Sequence, residues 1–182
     1  MAQPVDEGPR LSTARMILVA ATPVLARAEL HDRARFAELL GVELPPVWPP
    51  PLNDEDSIRW TLDLVEADPA NVGWGPWYFL ANPPGKGLKR VVMGNGGFKG
   101  QPTADGTVEV GYSIVETWQR QGYAPEATEA LVGWAFSHAE VRRVVAQTLP
   151  ELRASMRVLD KCAFRFVGPG FEEGAILFER LR

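Results

Sequence analysis

The sequence predicts one mixed α/β (α+β) domain, and three observations carry that prediction. Short runs rich in Val, Ile, Leu and aromatic residues recur along the chain, and Gly, Pro and Asn clusters bound them as they bound strands. Stretches with apolar residues at helical spacing lie between these runs. The third is the stretch from Thr107 to Phe136, which reads as strand, tight turn and helix with a glycine at the turn. Such a turn aims backbone N–H groups and the positive end of a helix dipole at one point, a geometry that binds phosphate.

Taken in order, residues 1–10 are polar with Pro and Gly and are expected to form a loose tail, leaving residues 11–182 as a single domain. Ala14 to Ala21 reads as the first strand. Thr22 and Pro23 cap a helix that carries Leu25, Leu30, Phe36, Leu39 and Leu40 inward and stops at Gly41. The segment from Leu44 to Leu52 holds five prolines around Trp48 and is excluded from regular structure. It reads as a stiff crossover loop that packs Trp48 on the body, with a polyproline ligand for a partner domain as the competing reading. Asn53 is the predicted cap of a second helix, Asp54 to Ala67, with Ile58, Leu62 and Val65 inward. Strands follow at Trp77 to Ala81 and Arg90 to Phe98, with turn chemistry at residues 82–87 between them. Gly94, Gly96 and Gly97 inside a strand predict a bulge or a close backbone approach.

The central strand runs from Thr107 to Val115. Pro125 opens the next helix, with Glu126 and Glu129 in its first turn. Arg143 to Thr148 is a strand and residues 153–161 a helix. Phe164 to Val167 and Ala175 to Leu181 are the last two strands, separated by a turn at Gly168, Pro169 and Gly170.

Composition bounds the function. At 46% apolar and 9% aromatic residues the chain can bury a sizeable core. The formal charge of −4 comes from interspersed acids and bases, with no basic stripe for a nucleic-acid backbone. The single cysteine, Cys162, precludes an intrachain disulfide framework and reads as a small buried hydrophobe. The apolar run from Met16 to Ala26 lacks the basic leader of a secretory signal, and no run reaches the length of a membrane span. The expectation is a cytoplasmic protein that contacts neither membrane nor nucleic acid. No Cys/His/Asp/Glu cluster has metal-ligand spacing, so no metal is expected. His31 and His138 fall on helices with no third group at catalytic spacing.

Three motifs in order then point to a family. Gln119, Gly122 and Ala124 match the Gln/Arg-x-x-Gly-x-Gly/Ala loop that holds the cofactor pyrophosphate in GNAT N-acetyltransferases. Glu109-Val110-Gly111-Tyr112 resembles the strand of the subgroup that includes the ribosomal-protein alanine acetyltransferases. The run from Ala154 to Phe164, ASMRVLDKCAF, resembles the helix that follows in that subgroup. The resemblance covers the second half of the chain in good register and the first half in element order.

The resemblance implies a GNAT fold. Its central sheet would be single, mixed and mostly antiparallel, with about six to seven strands splayed between the fourth and fifth and helices on its flanks. It implies acetyl-CoA as co-substrate, with Ile114 and Val115 holding the pantetheine arm and polarising the thioester. Gln119, Arg120, Gln121, Gly122, Tyr123 and Ala124 would cradle the pyrophosphate. Trp60, Trp74 and Trp77, in or just after the segment that lies beside the acceptor pocket in the family, are candidates for that pocket. The acceptor is an amine-bearing small molecule or a protein N-terminus, and two copies can pair as a homodimer through strand edges.

Glu109 is the candidate general base, acting through a water. Strand alternation puts it with Gly111 and Ser113 on one face, and partial burial is expected to raise its pKa. An ion pair with a neighbouring Lys or Arg is the competing reading. The chain departs from the family pattern at three places. Leu152 replaces an Asn, Leu159 a Tyr that protonates the thiolate, and Ala163 a Gly. Ser155 is then the nearest candidate to stabilise the thiolate, against a plain helix-face hydroxyl. These departures favour the alternative of a CoA-binding module that turns over weakly or not at all.

Overall fold

The fold is seen in a computed structural model that describes residues 8–82 and 89–182. It begins with a hairpin, β1 (Arg10–Ser12) against β2 (Met16–Ala20). This corrects the expected tail at its near end. The Pro9 carbonyl accepts from Ala20 N at 3.0 Å and Arg10 pairs with Val19, so the chain is tied into the sheet from there. Residues 1–7 of that tail, and residues 83–87 of the turn expected at residues 82–87, lie outside the described residues.

After β2 come α1 (Pro23–His31) and α2 (Arg33–Leu40), where one helix was expected. Asp32 is the reason for the break. It ends α1, and its carboxylate accepts from Arg35 N at 3.0 Å as the cap of α2. Gly41 then ends α2 in the left-handed region, as expected. A two-residue strand, β3 (Val42–Glu43), leads into the proline segment, which is irregular. Helix α3 (Glu55–Ala67) is capped by Asp54 rather than Asn53, with Asp54 accepting from Ser57 N at 2.9 Å.

The sheet continues with β4 (Pro76–Ala81), β5 (Arg90–Phe98) and β6 (Thr107–Ile114). Next are α4 (Tyr123–Ser137), β7 (Arg143–Thr148), α5 (Arg153–Lys161), β8 (Arg165–Pro169) and β9 (Ile176–Leu181). Gly168 and Pro169, expected in a turn, end β8 instead, and Pro125 is the third residue of α4 rather than its first. Among the described residues the sheet has nine strands in the order β1-β2-β4-β5-β6-β7-β9-β8, with β3 beside β5. The excess over six to seven comes from the short β1 and β3. Among the described residues only β6–β7 and β3–β5 pair in parallel.

The alternation of side chains across β4 divides the core. Trp77, Phe79 and Ala81 pack toward α4 with Leu131, Val132 and Ala135. Tyr78 and Leu80 pack toward α1 and α2 with Leu25, Ala28, Phe36 and Trp48. Trp48 is buried there, so the proline segment is pinned to the body as predicted. Its indole N–H donates to Glu29 at 3.0 Å, and the Tyr78 hydroxyl donates to the same carboxylate at 2.7 Å. The glycines of β5 are there for close approach. A Cβ at Gly94 would stand 2.3 Å from the Ser113 carbonyl oxygen, and one at Gly96 2.5 Å from that of Gly111.

Candidate active site

The site begins where two strands part. β6 and β7 pair only over Thr107 to Glu109 against Arg143 to Val145. Beyond that, β6 runs on to Ile114 and β7 to Thr148 unpaired, which is the splay the resemblance implied between the fourth and fifth strands of its count. Peptide groups alternate sides along a strand. The Glu109 carbonyl accepts from Lys99 N at 3.1 Å and Val115 N donates to Met93 O at 2.8 Å, so both face β5. Tyr112 and Ile114, of the opposite parity, therefore turn their peptide groups into the gap. Ile114 borders the gap, whereas the Val115 amide is committed to β5 and its side chain is buried beside α1 and α2. The Ile114 carbonyl is itself taken, accepting from Gln119 Nε2 at 2.9 Å.

At the end of β6 the chain makes one 3₁₀ turn, Glu116–Trp118, and then reverses. Arg120 at φ 60 and Gly122 at φ 83 both occupy the left-handed region. Gly122 tolerates it without penalty and sits at the N-cap position of α4. No side chain caps this helix, so its first N–H groups stay open at the positive end of the dipole. Gln121 folds back, donating from Nε2 to Thr117 O at 3.1 Å. Tyr123 packs edge-on to Trp118 at 5.7 Å between centroids, and the Ala124 carbonyl accepts from Thr128 Oγ1 at 2.8 Å.

One residue at this turn was not foreseen. Arg15, from the β1–β2 turn, donates to the Gln121 carbonyl at 2.8 Å and lies 4.3 Å above the Tyr123 ring centroid. Nothing in the sequence spacing joins position 15 to position 122; only the pairing of β2 at the far side of the sheet brings them together. The open amides, the small residues and the cation suit an anionic group, and the free strand edge suits an extended amide-bearing chain such as that of CoA.

Glu109 lies at the point of divergence, largely buried, with its carboxylate 2.6 Å from Lys99 Nζ and accepting from Gln147 Nε2 at 3.0 Å. Lys99 also reaches Glu172 at 3.0 Å. Burial pushes the Lys99 ammonium down, but its bonds to the two carboxylates outweigh this and hold it above the usual lysine range. The ion pair weighed for Glu109 is thus formed. The alternation is also as expected: Val108 and Val110 are buried, while Glu109, Gly111 and Ser113 share the other face. The proline segment roofs that face, with Ser113 Oγ donating to Pro51 O at 2.6 Å and Asn95 to Asn53 at 3.3 Å.

On the opposite face of β6, the Tyr112 hydroxyl lies 3.1 Å from both the carbonyl and the Oγ of Ser155 on α5. Burial pushes the Tyr112 hydroxyl up to about 12, so it stays protonated at neutral pH. Leu152 stands at the N-cap of α5 with no side-chain bond to the helix, and Leu159 is fully buried in the core. Cys162 is buried, which pushes its thiol up to about 11, as suits the inert reading.

The three tryptophans proposed for the pocket are not brought together. Trp77 and Trp74 are core, with ring centroids 5.2 and 4.6 Å from that of Trp134 on α4. β4 directs Trp77 to the α4 face, away from the face that carries Glu109, and Trp74 is buried in the same cluster. Trp60 alone is exposed, on α3. Among the described residues no group of His, Cys, Asp and Glu side chains could hold a metal ion, and no helix is long and apolar enough to cross a membrane.

A splayed parallel pair, a free strand edge and an uncapped helix behind a glycine turn are the marks of one family. The pattern described as the acetyltransferase (GNAT) domain matches residues 24–165, and the chain belongs to that family of acetyl-CoA-dependent N-acetyltransferases. It is 27% identical over 144 residues to the uncharacterized N-acetyltransferase YjdG of Bacillus subtilis (strain 168), covering 78% of this chain and 80% of that one. In fold it is similar to the ribosomal-protein-S5-alanine acetyltransferase of Vibrio fischeri, with a TM-score of 0.61 at 16% identity, covering 95% of this chain and 96% of that one. It is also similar to RimL, a ribosomal L7/L12 α-N-protein acetyltransferase solved with coenzyme A, with a TM-score of 0.62 at 17% identity and coverage of 95% and 98%.

Proposed function

We propose that this chain moves the acetyl group of acetyl-CoA directly to a primary amine within a ternary complex. The observation that carries the reading is the gap after Glu109 and Val145, with a free strand edge leading to the Gly122 turn. In this reading the peptide groups of Tyr112 and the N–H of Ile114 hold the pantetheine arm as a neighbouring strand would, the Ile114 carbonyl being held by Gln119. The open amides from Gly122 onward, with the α4 dipole, hold the diphosphate. Holding both reactants in line is the larger part of the catalysis such a transfer needs.

Glu109 takes the proton of the acceptor ammonium, through a water, once the amine has displaced Lys99 from its carboxylate. The thiolate that departs is met by Ser155, whose hydroxyl the neutral Tyr112 hydroxyl orients at 3.1 Å. The acceptor approaches on the Glu109 face, under the proline segment. A small amine and a protein N-terminus both meet these requirements.

The variant Gly122→Val tests the site. It places a branched side chain at φ 83, where the backbone must approach phosphate. Calorimetric CoA affinity is expected to fall at least tenfold while the circular dichroism of the fold is kept; full affinity in a folded variant excludes the turn. A second reading, CoA binding without turnover, is favoured by Leu152, which leaves α5 uncapped. Thiol release from acetyl-CoA with a panel of amines separates the two.

A further inference from the structure

The turn of the N-terminal hairpin lies against the turn that opens α4. Glu126, in the first turn of α4, is held from three sides by the hairpin turn. Thr13 Oγ1 donates to Oε1 at 2.6 Å, Arg15 N donates to Oε1 at 3.0 Å, and Arg15 Nε donates to Oε2 at 2.7 Å. Nη1 of the same guanidinium donates to the Gln121 carbonyl at 2.8 Å, and its plane covers the Tyr123 ring. Nη2 stands 3.3 Å from where a Cβ on Gly122 would lie. Residues more than a hundred positions apart are thus joined by four polar contacts and a cation–π contact.

The arrangement has an electrostatic logic. A carboxylate in the first turn of a helix is favourable to the helix itself. Beside a bound diphosphate it is a like charge, and like charges oppose binding. Glu126 lies one helical turn from Gly122. An unpaired Glu126 would therefore work against an anion at the turn. Thr13 and Arg15 satisfy both of its oxygens. Burial pushes the Glu126 carboxyl up, but these bonds outweigh burial and hold it below the usual carboxylate range. The bond to the Gln121 carbonyl matters as well. It fixes the peptide between Gln121 and Gly122, and so the direction of the amide that follows.

We infer that Arg15 is a positioning residue for the cofactor phosphates: it neutralises Glu126, locks the turn through the Gln121 carbonyl, and sets a cation edge beside Gly122. The inference rests on the assignment of this turn to the CoA diphosphate and adds to it a residue outside the loop. It makes the β1–β2 hairpin a working part of the cofactor site, although the loop pattern alone spans only residues 119–124.

The test is calorimetric binding of CoA and of 3′-dephospho-CoA to the full chain and four variants, at low and moderate salt. Arg15→Met is expected to weaken both ligands by at least about tenfold, since a charge-supported contact is lost. Loss for CoA alone would overturn the assignment to the diphosphate. Arg15→Lys, which keeps the charge without the fork, is expected to lie between wild type and Arg15→Met. Glu126→Gln is expected to bind at least as tightly as wild type. The double variant Arg15→Met with Glu126→Gln is expected to recover a severalfold part of the loss, because the opposing charge is gone. A merely structural clasp predicts the reverse, a further loss on removing its second half, and that result overturns the inference. If Arg15→Met does not fold, Arg15→Lys and Glu126→Gln decide: equal Kd for wild type and Arg15→Lys together with weaker binding by Glu126→Gln rejects it. Absence of CoA binding by the wild-type chain would instead remove the diphosphate assignment on which it stands.

Discussion

Glu109 meets its lysine at 2.6 Å, and that contact sets what the residue can do. A carboxylate already paired with an ammonium is a site prepared for an ammonium, and the acceptor amine brings the same group. Glu109→Gln keeps the shape and removes the basicity. It is expected to lower kcat/KM at pH 7 by roughly 10²–10⁴-fold, and the deficit should shrink as pH rises and the amine loses its proton unaided. A pH series of initial rates on both proteins checks this. Glu29 offers a different test. Burial pushes its carboxyl up, against the opposing effect of the Tyr78 and Trp48 bonds. A raised native pKa means that the folded chain holds the proton to higher pH than the unfolded chain. Its stabilising effect is therefore complete below the ordinary carboxylate range and is lost as pH rises through the native value. Wild type should gain in Tm relative to Glu29→Gln as pH falls from 7 toward 5, read by thermal melts of the pair.

At the scale of elements, the family pattern in α5 translates into backbone geometry. Ala163, which replaces a Gly of that pattern, has φ 57 just past the helix end. A left-handed alanine is strained where glycine is not. Ala163→Gly is therefore expected to stabilise the fold by about 1 kcal/mol, seen as a rise in the denaturation midpoint at constant slope. Element boundaries were legible where a local rule acts alone. Arg90–Phe98, Arg143–Thr148 and the end of α2 at Gly41 fall where the sequence put them. They were not legible where two rules compete. Asp32 and Asp54 each won a cap that propensity alone gave to no residue or to a neighbour, and β1 and β3 are too short to show a period.

At the scale of the molecule, the position of the gap in the sheet could be read from motifs in the second half of the chain. The contents of the two faces could not. Trp77 and Tyr78 are adjacent in sequence and serve opposite cores, and Trp74 and Trp77 do cluster, but in the core around Trp134 rather than on the face that carries Glu109. Arg15 was missed for the same reason. Its partners are set by the sequence of strand pairings β1-β2-β4-β5-β6, a relation with no local trace.

The short seam between β6 and β7 also has a consequence for solvent. Two half-sheets joined over three residue pairs leave the amides of Tyr112 and Ile114 open to exchange with water, while the neighbouring Val115 amide is already held by Met93. A ligand that occupies the gap closes the seam, as a missing strand would. Hydrogen–deuterium exchange at Tyr112 and Ile114 is therefore expected to slow sharply when CoA is added, with Val115 nearly unchanged. The same closure should raise Tm by the ordinary linkage relation, about 2.7 kcal/mol of added stability at a hundredfold excess over Kd. Exchange that slows evenly across the whole sheet would show the gain in stability without the local closure. In the proposed reading the gap is a built-in interruption of the sheet that the co-substrate would make continuous.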